Sequence, residues 1–259
     1  MTMEAFPGRR ATVGGLIAVA LALAGSVVLP TAPASAAGST TYVDCSRPAA
    51  GDGSQASPLN SIAQANGRTY AAGDTLAFAS GTTCTGSLAP RGSGTATAPI
   101  TLTRYGTGAL PVIDGGGAPD AVSFTDQDHW RISELKLTNP AASLSRRTGL
   151  RISATDGKAH RGFDIGNLVV DRVAGQTSKN SPTTEDFVQS AGIVTGASGT
   201  NSTLHDVRVH HNQISNTGGA ASRSASAPWR SRAPASSSST TSSRTSGATA
   251  SSRATPTRP

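Results

Sequence analysis

The chain has 259 residues, 22 basic and 15 acidic side chains, and a formal net charge of +7. Glu4, Arg9 and Arg10 lie in the first 36 residues, and six arginines without an acid follow Gly219, so the body between carries 14 basic and 14 acidic residues. An electrically balanced body with few aromatic side chains offers no basic face to nucleic acid, and that class of partner is excluded for residues 37–219.

Residues 1–36 read as a secretion signal. Arg9-Arg10 supply the positive start, Leu16 to Leu29 is an apolar run of small residues, and Ala34-Ser35-Ala36 is a cleavage site that makes Ala37 the mature start. The run is short for a membrane span and ends in Pro30 and Pro33, so no membrane association is expected after cleavage. Twin-arginine export stays open beside the ordinary route, although Ala11-Thr12-Val13 continues the motif poorly. Export leads to an extracellular, disulfide-permissive compartment. Cys45 and Cys84 are the two cysteines and have one possible intramolecular pairing, which is expected to form.

Residues 37–97 hold the first strands. Tyr42-Val43 is strand-like, and Leu59, Ile62, Ala63 and Ala65 give a short helical pattern after the Gly51-Asp52-Gly53-Ser54 loop. Thr75-Leu76-Ala77-Phe78 reads as a strand, and Ala89 to Ala98 is a loop rich in Gly, Ser, Thr and Pro. From Pro99 onward come short β-branched segments at Ile100–Thr103, Val112-Ile113, Val122–Phe124 and Trp130–Ile132, separated by turn residues. That is an all-β pattern, with no further helix expected after residue 72. Trp130 and Phe163 belong to the core. Asp114-Gly115-Gly116-Gly117 is a tight turn and not a phosphate loop, because no Lys-Ser/Thr pair follows it.

A spacing of apolar-x-x-apolar-x-apolar occurs three times, at Ile132/Leu135/Leu137, Ile165/Leu168/Val170 and Leu204/Val207/Val209, with starts 33 and 39 residues apart. The first two copies are each followed by a second strand-like piece, Gly149–Ile152 and Gly192–Thr195. Such pieces cannot bury an apolar edge alone, but successive copies stacked on one another can. Aligning the three copies places Lys136, Val169 and Arg208 in one outward row, Thr138, Asp171 and His210 in the next, and Asn139, Arg172 and His211 at the strand ends. Asp171 is thus expected beside His210 and Arg208. Asp126-Gln127-Asp128-His129 could hold a cation through its two carboxylates, or simply turn the chain.

The order of Tyr42-Val43-Asp44-Cys45-Ser46, Ala72–Phe78, Ala98–Gly106 and Pro111–Gly115, followed by the three copies, resembles the right-handed parallel β-helix family, the pectate-lyase-like superfamily of mostly bacterial secreted carbohydrate-active proteins. The resemblance covers residues 40–219. It implies an all-β solenoid with a short N-terminal capping helix, its coils over 98–219, and a polysaccharide partner. It also implies polysaccharide processing by a lyase or glycoside hydrolase, or binding of polysaccharide or cell surface without catalysis. β-Elimination needs a base and a cation, whereas hydrolysis needs two carboxylates. On this view Asp171, Arg208 and His210 are the catalytic candidates and Lys136, Arg172 and His211 the substrate-binding ones. Ca²⁺ is the candidate cofactor of a lyase, no metal ligands are assigned, and a monomer is expected.

Beyond Gly219 the composition narrows to Ala, Ser, Thr, Arg, Pro, Gly and one Trp. Residues 220–259 cannot bury enough apolar surface and are expected to be disordered. They are either a natural Ser/Thr-rich tail or the product of translation that left its frame near Gly218-Gly219. The third copy, whose next strand is missing from the pattern, favours the second origin, and with it an inactive truncated product.

Overall fold

The computed structural model describes residues 38–178, 184–226 and 242–244, all within one unit, Ser35–Pro259. The expected signal, residues 1–36, and most of the expected tail lie outside the described residues. Among the described residues no helix is long and apolar enough to cross a membrane.

The described chain is nearly all-β, with parallel sheets and few helices, and its fold is β-helix-like. The first sheet runs β1 (Thr40–Val43), β2 (Thr75–Ala79), β4 (Ile100–Tyr105), β7 (Trp130–Ser133), β10 (Ala159–Gly166) and β13 (Thr203–His210). The second runs β3 (Thr83–Thr85), β5 (Val112–Asp114), β8 (Lys136–Asn139), β11 (Val169–Val173), β14 (Gln213–Thr217) and β16 (Ser242–Arg244). The third runs β6 (Asp120–Thr125), β9 (Thr148–Ala154), β12 (Ala191–Ala197) and β15 (Ala220–Ser226). Parallel neighbours cannot be joined by a hairpin, so the chain must travel through other structure before returning to the same sheet. From β4 to β15 it does so by visiting the first, second and third sheets in rotation.

The register brings like residues together. Leu102, Ile132, Ile165 and Val209 form one column, and Ile113, Leu137, Val170 and Ile214 another. Val122, Leu150 and Ile193 stack in the third sheet. Most of these side chains are fully buried, each contributing roughly 1.5–3 kcal/mol relative to exposure. Trp130 and Phe163 lie in the core as expected, with Phe124 between them at ring distances of 4.8 and 5.9 Å. The Trp130 indole N–H donates to the Gly92 carbonyl at 2.9 Å, which satisfies its polar atom.

The column of Leu135 and Leu168 continues with a polar residue. Asn212 is 6% exposed; its Oδ1 accepts from the Leu168 N–H at 2.9 Å and its Nδ2 donates to the Ile165 carbonyl at 3.0 Å. The corner between the first and second sheets takes a left-handed residue in each circuit, Glu134, Asn167 and His211, with φ of 57°, 56° and 53°.

The Cys45–Cys84 disulfide is present, with a Cα separation of 5.3 Å, and ties the chain after β1 to β3. The helical pattern before residue 72 becomes α1 (Ile62–Asn66), whose Ile62 and Ala65 are buried and whose first turn is capped by the Ser61 hydroxyl. Two expectations are corrected. A second five-residue helix, α2 (Thr184–Val188), forms between β11 and β12; one turn and a half is too short to leave a periodic signal. The region after Gly219 is not unstructured from its first residue, because β15 pairs with β12 from Ala191↔Ala220 to Ala197↔Ser226 and β16 pairs with β14. Backbone groups at a sheet edge can pair with any sequence. The side chains do not match: Ser222 occupies the position below Leu150 and Ile193 and is exposed.

Candidate functional site

The register decides which charged residues meet. Ile165 faces Ile132, as the first 33-residue offset requires. Ile165 also faces Val209, an offset of 44, so the expected offset of 39 is wrong. Asp206 adopts φ 51° in the middle of β13, as Gly162 does at φ 83° in β10, so the two strands carry the same left-handed kink in register, with Leu204 and Val207 on either side of it. Leu204 therefore faces His160, Val207 faces Phe163, and the third apolar spacing is a coincidence of this irregularity.

The expected grouping of Asp171 with His210 and Arg208 is corrected accordingly. Asp171 lies on β11 in the second sheet, while Arg208 and His210 lie on β13 in the first and His211 follows at the corner. Asp171 accepts hydrogen bonds from Ser215 Oγ at 3.0 Å and Asn216 Nδ2 at 2.8 Å. It also faces Lys136 Nζ at 3.8 Å and Arg172 Nε at 3.4 Å. Burial pushes its carboxyl up, but the Asn216 and Ser215 hydrogen bonds and the two cations outweigh that and hold it below the ordinary value. Lys136, Asp171 and Arg172 thus form a polar cluster of their own, apart from Arg208, His210 and His211.

On the outer face of the first sheet, Arg131, Asp164 and Arg208 stand in one row across β7, β10 and β13. They line a groove of about 580 Å³ together with His129, Asp206 and Pro99. Arg131 and Arg208 are exposed, and neither has an ion-pair partner among the described residues. Asp164 Oδ1 lies 2.7 Å from His210 Nε2, and His210 Nδ1 lies 2.9 Å from His211 Nδ1.

Two glycines of β10 make room for imidazoles. A Cβ on Gly166 would come within 2.4 Å of His210 Cε1, and one on Gly162 within 2.2 Å of His129 Nδ1. Any larger residue would push these rings off the strand.

Arg131, Asp164, Asp206 and His129 were missed as site residues by the sequence reading. The signal was available: Trp130-Arg131-Ile132, Phe163-Asp164-Ile165 and Val207-Arg208-Val209 share an apolar-charged-apolar pattern, and aligning on that triplet gives the observed register.

The expected cation loop divides. Asp126 binds the Thr155 backbone N–H and hydroxyl, whereas Asp128 accepts from the Arg161 N–H at 2.8 Å and contacts His160 Nδ1 at 3.1 Å. His160 Nε2 meets Asp156 at 3.0 Å. Among the described residues, Asp126, Asp156 and His160 lie close enough together to hold a metal ion, but their atoms are already engaged with protein partners. Burial lowers the His160 pKa, yet hydrogen bonds to Asp156 and Asp128 outweigh it and raise the ring above its ordinary value. This buried imidazole fastens the turn before β7 to the turn before β10.

No family model and no curated protein matches the chain. Solved structures do. A selenomethionine derivative of a GH136 lacto-N-biosidase from Eubacterium ramulus is similar at 20% identity and a TM-score of 0.59, covering 69% of this chain and 34% of that one. The native form of the same protein gives 18% identity and 0.57, covering 72% and 36%. An alginate lyase from a Paenibacillus species gives 19% identity and 0.34, covering 72% and 64%. At such identities the likeness to the lacto-N-biosidase is one of fold, and the chain spans about a third of that protein's length.

Proposed function

We propose that the protein is a secreted, carbohydrate-active, right-handed parallel β-helix that processes a polysaccharide along the outer face of its first sheet. The Arg131–Asp164–Arg208 row in an open groove carries this reading. Two guanidinium groups, unpaired among the described residues, offer planar, charge-assisted donors to sugar hydroxyls or carboxylates. Asp164 and Asp206 supply carboxylates and His129 a titratable ring, the groups that glycan hydrolysis or elimination draws on. Arg208 and His210 keep their candidate roles here, with His211 beside them. Asp171, Lys136 and Arg172 belong to the second sheet's cluster and are left out of the site. The fold likeness to a lacto-N-biosidase supports a carbohydrate ligand. The residues of α1 cover the N-terminal end of the stack, where apolar edges need protection.

The purified full-length chain is to be incubated with acidic and neutral polysaccharides, with and without Ca²⁺, because carboxylates such as Asp206 are oxygen donors of the kind that ion takes. Unsaturated-product absorbance identifies a lyase, and new reducing ends without absorbance identify a hydrolase. Neither signal from a folded sample on any glycan sinks the enzymatic reading.

A second reading is glycan binding without turnover. It is favoured by the 2.7 Å contact that already engages Asp164 with His210.

A further inference from the structure

We infer that Asp164, His210 and His211 form a proton relay whose outer base is Nε2 of His211. The assignment follows from which atoms can donate. An ionised carboxylate only accepts, so the 2.7 Å contact from Asp164 Oδ1 requires the proton on His210 Nε2. A neutral His210 then carries a lone pair on Nδ1. The 2.9 Å contact between the two Nδ1 atoms needs one donor, which must be His211. That leaves the lone pair of His211 on Nε2, an atom without a partner among the described residues on an exposed side chain.

The proton path balances. His211 Nε2 takes a proton from a sugar hydroxyl, an acidic C–H or a water. Its Nδ1 proton moves to His210 Nδ1. His210 becomes an imidazolium that keeps its Nε2 proton against Asp164, so the new positive charge sits beside the carboxylate. One proton enters and one charge develops, at the member of the chain built to hold it. Arg131 from β7 and Arg208 from β13 stand in the same row as Asp164, and Asp206 and His129 line the groove with them.

Two features of the backbone place the rings. Gly166 is the residue under His210, and a Cβ there would meet the ring at 2.4 Å. His211 takes the left-handed corner conformation, φ 53°, that Glu134 and Asn167 take in the two preceding circuits, so the corner itself sets where its ring stands beside His210. The T-shaped stacking of the two rings, with centroids 5.1 Å apart at 86°, brings the Nδ1 atoms into line.

The relay is a property of three side chains, and its service to a glycan rests on the proposed function. The test separates the two. Nitrogen-15 NMR of the imidazoles in the full-length chain, above the pH at which both rings are neutral, is expected to find His210 as the Nε2–H tautomer and His211 as the Nδ1–H tautomer. The Nε2–H form of His211, usual for a free ring, overturns the relay. Gly166→Ala is expected to return His211 to Nε2–H. If that variant does not fold, His210→Phe removes the acceptor with little change in ring size and is expected to do the same; an unchanged His211 overturns the relay in either variant. With a substrate in hand, His211→Asn, which suits the left-handed corner, is expected to lower kcat by at least about 100-fold with KM little changed. Unaltered kcat overturns the catalytic use of the relay while the NMR result stands. Failure to find any substrate counts against the proposed function alone.

Discussion

Removing the Cys45–Cys84 bond isolates one contribution to stability whose size follows from chain connectivity. The two residues are 39 apart in sequence, and closing a loop of that length takes roughly 13 cal/mol/K from the unfolded chain, or about 4 kcal/mol at 25 °C. For a fold with ~5–15 kcal/mol in total this is a large share. The bond joins the segment after the first strand of sheet one to the first strand of sheet two, so the N-terminal circuit should loosen first. The Cys45→Ala/Cys84→Ala double variant is to be unfolded in urea beside the oxidised and the reduced parent chain. The expected loss is about 4 kcal/mol, seen as a thermal midpoint lower by roughly 8–16 °C. The reduced parent should match the double variant to within about 1 kcal/mol, the difference being the packing of two sulfur atoms. A double variant as stable as the oxidised parent refutes the reasoning, because the crosslink would then not restrict the unfolded ensemble.

Asn212→Ala leaves the buried Leu168 N–H without its acceptor and should cost about 2–4 kcal/mol, with faster amide exchange at Leu168. Asn212→Leu restores the leucine column but not the acceptor, so full recovery of stability contradicts the assignment. His160, held by Asp156 and Asp128, has a raised folded pKa. Its contribution is complete below the unfolded value of about 6.5 and is lost as pH rises through the folded value. The gap in thermal midpoint between parent and His160→Gln should therefore shrink from pH 6 to pH 9, and a widening gap reverses the sign. Ser222→Ile places an apolar side chain beneath Ile193 and should add about 1 kcal/mol, a partial burial at the end of the stack. No gain in urea unfolding argues against β15 as a packed strand.

Much of the fold was legible because a β-strand advertises itself over three or four residues. Ile100–Thr103, Val122–Phe124 and Trp130–Ile132 fall on strands β4, β6 and β7, and the paired pieces at Gly149–Ile152 and Gly192–Thr195 fall side by side in the third sheet. The site was less legible because its composition depends on register, and register is a long-range property. Leu204, Val207 and Val209 reproduce the spacing of Ile165, Leu168 and Val170, yet Val209 is the true partner of Ile165. A shift of five residues carried His210 away from Asp171 and onto Asp164 across a glycine. The polar Asn212 at a leucine position hid the real repeat, since an apolar count skips it although its hydrogen bonds fit the place. The strand after Gly219 was illegible for another reason: it pairs through its backbone and carries serine where the pattern calls for isoleucine or leucine.

The outer face of the first sheet and the polar cluster of the second can be set against each other in one binding experiment. Arg131→Ala/Arg208→Ala empties the groove of its unpaired cations, and Lys136→Ala/Asp171→Asn dismantles the other cluster. Affinity electrophoresis of the full-length parent and both double variants through gels containing each polysaccharide reads binding whether or not the glycan is cleaved. A glycan that retards the parent should bind the Arg131→Ala/Arg208→Ala chain at least about tenfold more weakly, a loss of ~1.4 kcal/mol or more, and the Lys136→Ala/Asp171→Asn chain as tightly as the parent. Loss of binding in the second variant with the first unaffected would move the site to the second sheet and contradict the proposed function.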